Sequence, residues 1–105
     1  MNNSNLNLKG IFRKLLNDVP TALENDWRVN AKRSYIDSSR SAGVVEFDWK
    51  NHRLTVRFAL SDDFEPILDA AMDNEFPPNE FSTFEDLLQW AIQEETEVVA
   101  QEITR

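Results

Sequence analysis

The stretch Val45-Glu46-Phe47-Asp48-Trp49-Lys50-Asn51-His52-Arg53-Leu54-Thr55-Val56-Arg57-Phe58-Ala59-Leu60 alternates apolar and polar residues on both sides of a short break. Period-two alternation over several residues is the pattern of a strand buried on one face. A two-residue turn at Asn51-His52 sets a register in which Trp49 faces Leu54, Phe47 faces Val56 and Val45 faces Phe58. On the other side Glu46 then faces Arg57, and Asp48 faces Thr55. One face is apolar and the other charged, as in an antiparallel sheet covered on a single side.

Upstream, Trp27, Val29, Ala31 and Tyr35 alternate with Arg28, Asn30, Lys32 and Ser34, and Arg33 breaks the pattern. This reads as a third strand pairing with residues 44–50, which brings Arg28 and Lys32 near Glu46 and Asp48. The connection 37–43 is small and polar, as expected of a mobile loop. Earlier still, Leu8, Ile11, Phe12, Leu15, Leu16 and Val19 recur at helical spacing, with Lys9, Arg13, Lys14 and Asn17 elsewhere on the wheel. The spacing predicts a helix over about 6–17, ended before Pro20.

Downstream, Ser61, Asp62 and Asp63 offer helix caps. Phe64, Ile67, Leu68, Ala71 and Met72 form one helical stripe, and Asp62, Glu65, Asp69 and Asp73 form another opposite it. A helix over 63–74 follows, stopped by Pro77-Pro78, a link that Phe76 and Phe81 would pin to the core. Ser82-Thr83-Phe84-Glu85 matches a capping box and opens a long helix over 83–104. Glu95 and Glu102 fall inside the apolar sector of that helix. Three arrangements fit them: a helix end running past the core, an ion pair with Arg13 or Arg57, or a cation supplied by a partner. An unpaired buried carboxylate is excluded by its cost.

These elements predict an α+β fold: an N-terminal helix, a three-stranded antiparallel meander, and two C-terminal helices packed on one sheet face. They make a single domain over 6–105, behind a disordered tail at 1–5. Seven Phe and three Trp supply a core. A chain of 105 residues has little interior to spare, so a homodimer, built through the C-terminal helix, is an added expectation. The chain has no cysteine, which removes disulfides, thiolate metal sites and cysteine nucleophiles. With no signal peptide or membrane-span pattern recognised, the expected location is cytoplasmic.

The sequence offers little for catalysis. His52 is the one histidine, at the expected hairpin tip. Ser38, Ser39 and Ser41 lack a nucleophile elbow. Gly10 and Gly43 are the only glycines, too few for a phosphate loop. The reading is therefore non-enzymatic.

Charge carries the functional signal. Residues 1–57 hold ten of the eleven Lys and Arg against six acids, and residues 58–105 hold one Arg against thirteen acids. A half near +4 is joined to a half near −12, for a net −8. Ordinary solvated helices mix signs, so an uncompensated acidic face implies repulsion or recognition. The expected function is a small acidic protein-binding module of the inhibitor, immunity factor, adaptor or chaperone type. It docks Asp62, Glu65, Asp69, Asp73, Glu94, Glu95 and Glu97 on a basic partner surface. Nucleic acid and anionic membranes are not expected partners, since both are held through Lys and Arg. No cofactor is expected. The alternative is a calcium-binding protein or sensor using the cluster Asp62, Glu65, Asp69, Asp73, Glu75 and Glu80, since a cation relieves repulsion among acids spaced one helical turn apart.

Overall fold

The computed structural model describes residues 7–75 and 78–103. It is an α+β fold with one six-stranded antiparallel sheet and two helices. The elements are α1 (Leu8–Ala22), β1 (Arg28–Val29), β2 (Tyr35–Asp37), β3 (Ala42–Trp49), β4 (His52–Leu60), β5 (Pro66–Met72), β6 (Asn79–Phe81) and α2 (Phe84–Ile103). The sheet order is β1-β3-β4-β5-β6, and β2 pairs with β3 on the same side as β1. The expected tail 1–5 and the residues Phe76 and Pro77 of the proline link lie outside the described residues.

The central hairpin forms, with its register moved by two residues. Trp49 lies opposite His52, Phe47 opposite Leu54 and Val45 opposite Val56, so the turn is Lys50-Asn51. Lys50 takes a positive φ of 54° there, and His52 becomes the first residue of β4. A shift of two keeps every side chain on its expected face. Val45, Phe47, Leu54, Val56 and Phe58 are accordingly buried.

The expected third strand is split in two. The break at Arg33 is a one-turn 3-10 helix, Ala31–Arg33, between β1 and β2. It is held by Asn30 N–H donating to the Glu46 carbonyl at 2.7 Å, and by Glu46 N–H donating to Ser34 Oγ at 3.0 Å. The segment 37–43 takes a regular form. It closes a β2–β3 hairpin, with Ser38–Arg40 forming a second 3-10 turn and Asp37 Oδ1 accepting from the Ser39 amide.

The helix expected over 63–74 does not form; Pro66–Met72 is strand β5, paired with β4 along its length. Its apolar residues fit both periods, a short-run ambiguity that local sequence cannot settle. Pairing settles it, because β4 has β3 on one edge and needs a partner on the other. Pro66 sits at the start of β5, opposite Leu60, where a missing N–H is tolerated. Ser61 does not cap a helix. Its Oγ accepts from the amides of Asp63 and Glu65 and closes the β4–β5 turn, where Phe64 has φ 60°.

Helix α1 is longer than expected and runs through Pro20 to Ala22. Val19 and Leu23 are buried on either side of the proline, and the Leu23 amide donates to the Val19 carbonyl at 3.2 Å. That packing outweighs the hydrogen bond Pro20 cannot make. Asn7 caps the start, its Oδ1 accepting from Gly10 N–H at 2.8 Å. Helix α2 is capped by Thr83, whose Oγ1 accepts from the Asp86 amide at 3.0 Å, one residue later than the box Ser82–Glu85 implied.

Both helices lie on one face of the sheet, and α1 with α2 closes the core through Ile11, Leu15, Val19, Leu87, Ala91 and Val98. Among the described residues the opposite sheet face carries no helix. Gly43 is required on the core side of β3, opposite Phe58: a Cβ there would lie 2.4 Å from the Phe58 ring and 2.8 Å from the Tyr35 carbonyl oxygen. The second contact is backbone and cannot swing away. Gly43→Ala should therefore cost about 1–3 kcal/mol through overpacking, read as a lower urea midpoint with an unchanged slope.

Candidate functional site

The acidic residues singled out in the sequence do not gather in one place. Asp62 and Glu65 are exposed in the β4–β5 turn. Asp73 follows the other end of β5, so a full strand length separates it from them. Asp69 lies mid-strand on the helix-free face, where Arg57 Nε and Nη2 donate to its two oxygens at 2.8 and 2.9 Å. Glu94 and Glu97 are on α2. Glu75 and Glu80 flank the β5–β6 connection and are exposed. The helical stripe that suggested a calcium site does not exist, and among the described residues no three His, Cys, Asp or Glu side chains form a metal-holding group.

Glu95 is buried, 4 % exposed, in the apolar stripe of α2. None of the three expected arrangements applies. Its carboxylate accepts from the Glu24 amide at 3.0 and 3.1 Å, the Asn25 amide at 2.8 Å, Asn25 Nδ2 at 2.9 Å and Trp27 Nε1 at 3.0 Å. Burial pushes its pKa up, but these donors outweigh burial and hold it below 4.5. They favour the charged form, as amides aimed at a carboxylate do. Two of the four donors are backbone amides in a loop, which leave no mark in a sequence.

Glu102 also has a partner within the chain. His52 is stacked on Trp49, with ring centroids 5.9 Å apart. Its Nδ1 lies 2.8 Å from Asp73 Oδ2 and its Nε2 lies 3.0 Å from Glu102 Oε2. Only the imidazolium donates from both nitrogens. The hydrogen bond to Asp73 is the largest cause raising the His52 pKa above 6.5; burial opposes it and Glu102 adds to it. Carboxylates on opposite sides of the ring hold a proton on His52 and leave neither nitrogen aimed at a substrate. A histidine near a turn and a glutamate in the wrong sector are separate hints, and no local pattern links them across fifty residues.

One acidic group remains concentrated. Burial raises the Glu94 pKa above 4.5, and the charges of Glu97, Glu75 and Asp73 raise it further. Helix α2 contains no Lys or Arg to relieve them. Trp90, one turn before Glu94, packs on Phe81 with ring centroids 5.5 Å apart and stays partly exposed. The site is thus an acidic shoulder with an aromatic edge, built from α2 and the β5–β6 connection.

The helix-free face is different in kind. Arg33 Nε donates to Glu46 Oε1 at 2.6 Å. Arg53 Nε sits 3.4 Å from both Glu46 and Asp48. Asn30 Nδ2 donates to Asp48 at 3.0 Å. Glu46 is 6 % exposed beneath these partners. Above them run two adjoining grooves of about 450 and 340 Å³, which share Tyr35, Val44, Arg57 and Asp69.

These features define a class, a small α+β protein with an acidic helix shoulder and a charge-balanced open sheet face. Comparison with known protein families, curated proteins and solved structures finds no match. No helix among the described residues is long and apolar enough to cross a membrane.

Buried Glu95 and half-buried His52 have opposite pH signatures. Glu95 is depressed below 4.5, so its contribution is complete above that value and is lost as pH falls through the lower folded pKa. Glu95→Ala should cost about 3 kcal/mol or more at neutral pH, because several donors lose their acceptor, and its deficit should shrink in acid. His52 is raised above 6.5, so its contribution is complete below 6.5 and is lost as pH climbs through the higher folded value. His52→Gln should be less stable than the parent near pH 6 and converge with it at alkaline pH, as measured by denaturant titration.

Proposed function

We propose that this protein is a non-enzymatic binding module, of the inhibitor, immunity factor, adaptor or chaperone type, that docks its acidic shoulder on a basic surface of another protein. The observation that carries this reading is Glu94, partly buried among Glu97, Glu75 and Asp73 with no cation on its helix. Like charges held together this way repel, and a partner that brings Lys or Arg relieves the repulsion.

Six of the chain's eleven Lys and Arg are engaged elsewhere. Arg28 pairs with Asp26, Arg33 with Glu46, Arg40 with Asp37, Arg53 with Glu46 and Asp48, and Arg57 with Asp69. Lys14 pairs with Asp18 and lies over the Phe84 ring. The docking set is therefore Glu94, Glu97, Glu75 and the free edge of Trp90. Asp62 and Glu65, at the far end of β5, add long-range attraction. Asp69, Asp73 and Glu95 work inside the fold. Charge speeds encounter, and the tryptophan supplies the kind of apolar anchor that contributes most affinity.

Capture from the native host should use the parent and a Glu94→Gln/Glu97→Gln variant side by side. The expected result is a basic protein retained by the parent, lost from the variant, and released as salt is raised. The reading fails if nothing is retained, or if retention is indifferent both to salt and to the two substitutions.

A further inference from the structure

We propose that the helix-free face of the sheet is a self-association surface, and that its occupant is a second copy of this chain. Tyr35 and Ile67 are 58 % and 52 % exposed and line one groove together with Val44, Ala59 and the Arg57–Asp69 pair. Two large apolar side chains on one uncovered sheet face make a patch that burial favours.

Charge selects the occupant. Across this face the ions come as local pairs, Arg33 with Glu46, Arg53 with Asp48 and Arg57 with Asp69, while Lys32 at the groove wall and Glu80, opposite Asp69 on β6, add one charge of each sign. The chain as a whole is at −8. Two copies that meet through α2 bring like charge to like charge. Two copies that meet through the open sheet face do not. A twofold axis also turns each arginine–carboxylate pair into its own complement, setting the Arg57 of one copy toward the Asp69 of the other and the reverse. A strongly basic or strongly acidic partner gains nothing from a face so balanced.

Size is adequate. Eight residues of β3 at about 3.4 Å each, and five strand positions about 4.8 Å apart, give a face of roughly 27 by 19 Å. That is about 500 Å² per partner and roughly 1,000 Å² in total, the lower bound for a specific interface and the size of a weak dimer. The proposal does not rest on the acidic shoulder, and salt separates the two: shoulder docking weakens as salt rises, whereas association through the balanced face holds or tightens.

The test is sedimentation velocity with light scattering over a concentration series. The expected mass at the upper end is twice the 12.2 kDa of the chain. Ile67→Lys and Tyr35→Ala should each weaken association about tenfold or more. Both side chains are more than half exposed in the single chain, so folding is retained, with circular dichroism as the check. Ile92→Lys, on the outer side of α2, should leave the mass unchanged. A monomer at every concentration up to about 1 mM overturns the proposal. So does a dimer that Ile67→Lys leaves intact, or one that Ile92→Lys breaks.

Discussion

The fold turns on a carboxylate sunk among amides. Glu95 stands in the stripe of α2 that faces the core, between Ala91 and Val98. The segment it meets, 24–27, is the point where the chain leaves α1 and enters the sheet. Its amides have no strand or helix to pair with, and buried unpaired amides are costly. Glu95 accepts from two of them and from the Trp27 indole, so one side chain resolves several local deficits at once. Each side depends on the other, since a glutamate in that stripe is tolerable only because the loop donates to it. The contact joins residues about seventy apart in sequence and ties the segment after α1 to α2. Among the described residues no buried side-chain nitrogen or oxygen is left without a partner.

Against that constraint, the parts legible in the sequence are those fixed by local period. The β3–β4 hairpin is written in its alternation, and both helices in their stripes. The turn was misplaced by one residue because Asn51-His52 looks the better turn pair, whereas Lys50 takes the positive φ. The segment 63–74 reads as a helix because Phe64, Ile67, Leu68, Ala71 and Met72 fit a helical stripe, and pairing of Pro66–Met72 with β4 overrides that period. No local signal reports that β4 has an open edge. The core roles of Glu95 and Glu102 were visible only as misfits on a helical wheel. Their partners, a loop amide and a histidine on a distant strand, are matters of three-dimensional neighbourhood.

The sorting of charge along the chain takes a different form in space. The sequence sets a basic half against an acidic half. The fold threads them together, so that β5 brings Asp69 to Arg57 and the turn after it brings Asp73 to His52. Glu94 and Glu97 on α2, with Glu75 beside them, stay close together with no Lys or Arg on that helix. The separation is therefore one of surfaces. One sheet face is electrically quiet and half apolar, and the helix side is negative.

That division has a physical consequence for how the molecule meets others. A protein at −8 repels its own copies at long range, so any self-contact must form where the local field is weak. Any attraction to a cationic partner must begin where the field is strong. The two surfaces meet at the β5–β6 connection, where Asn74 and Pro78 border a groove of the open face and Glu75 belongs to the shoulder. His52 sits at the seam, its charge held by Asp73 on the strand side and Glu102 on the helix side. When that imidazolium loses its proton, two carboxylates lose the cation between them, and the negative field of the shoulder deepens. The same residue that fastens the end of α2 to the hairpin thus also tempers the charge a partner would sense.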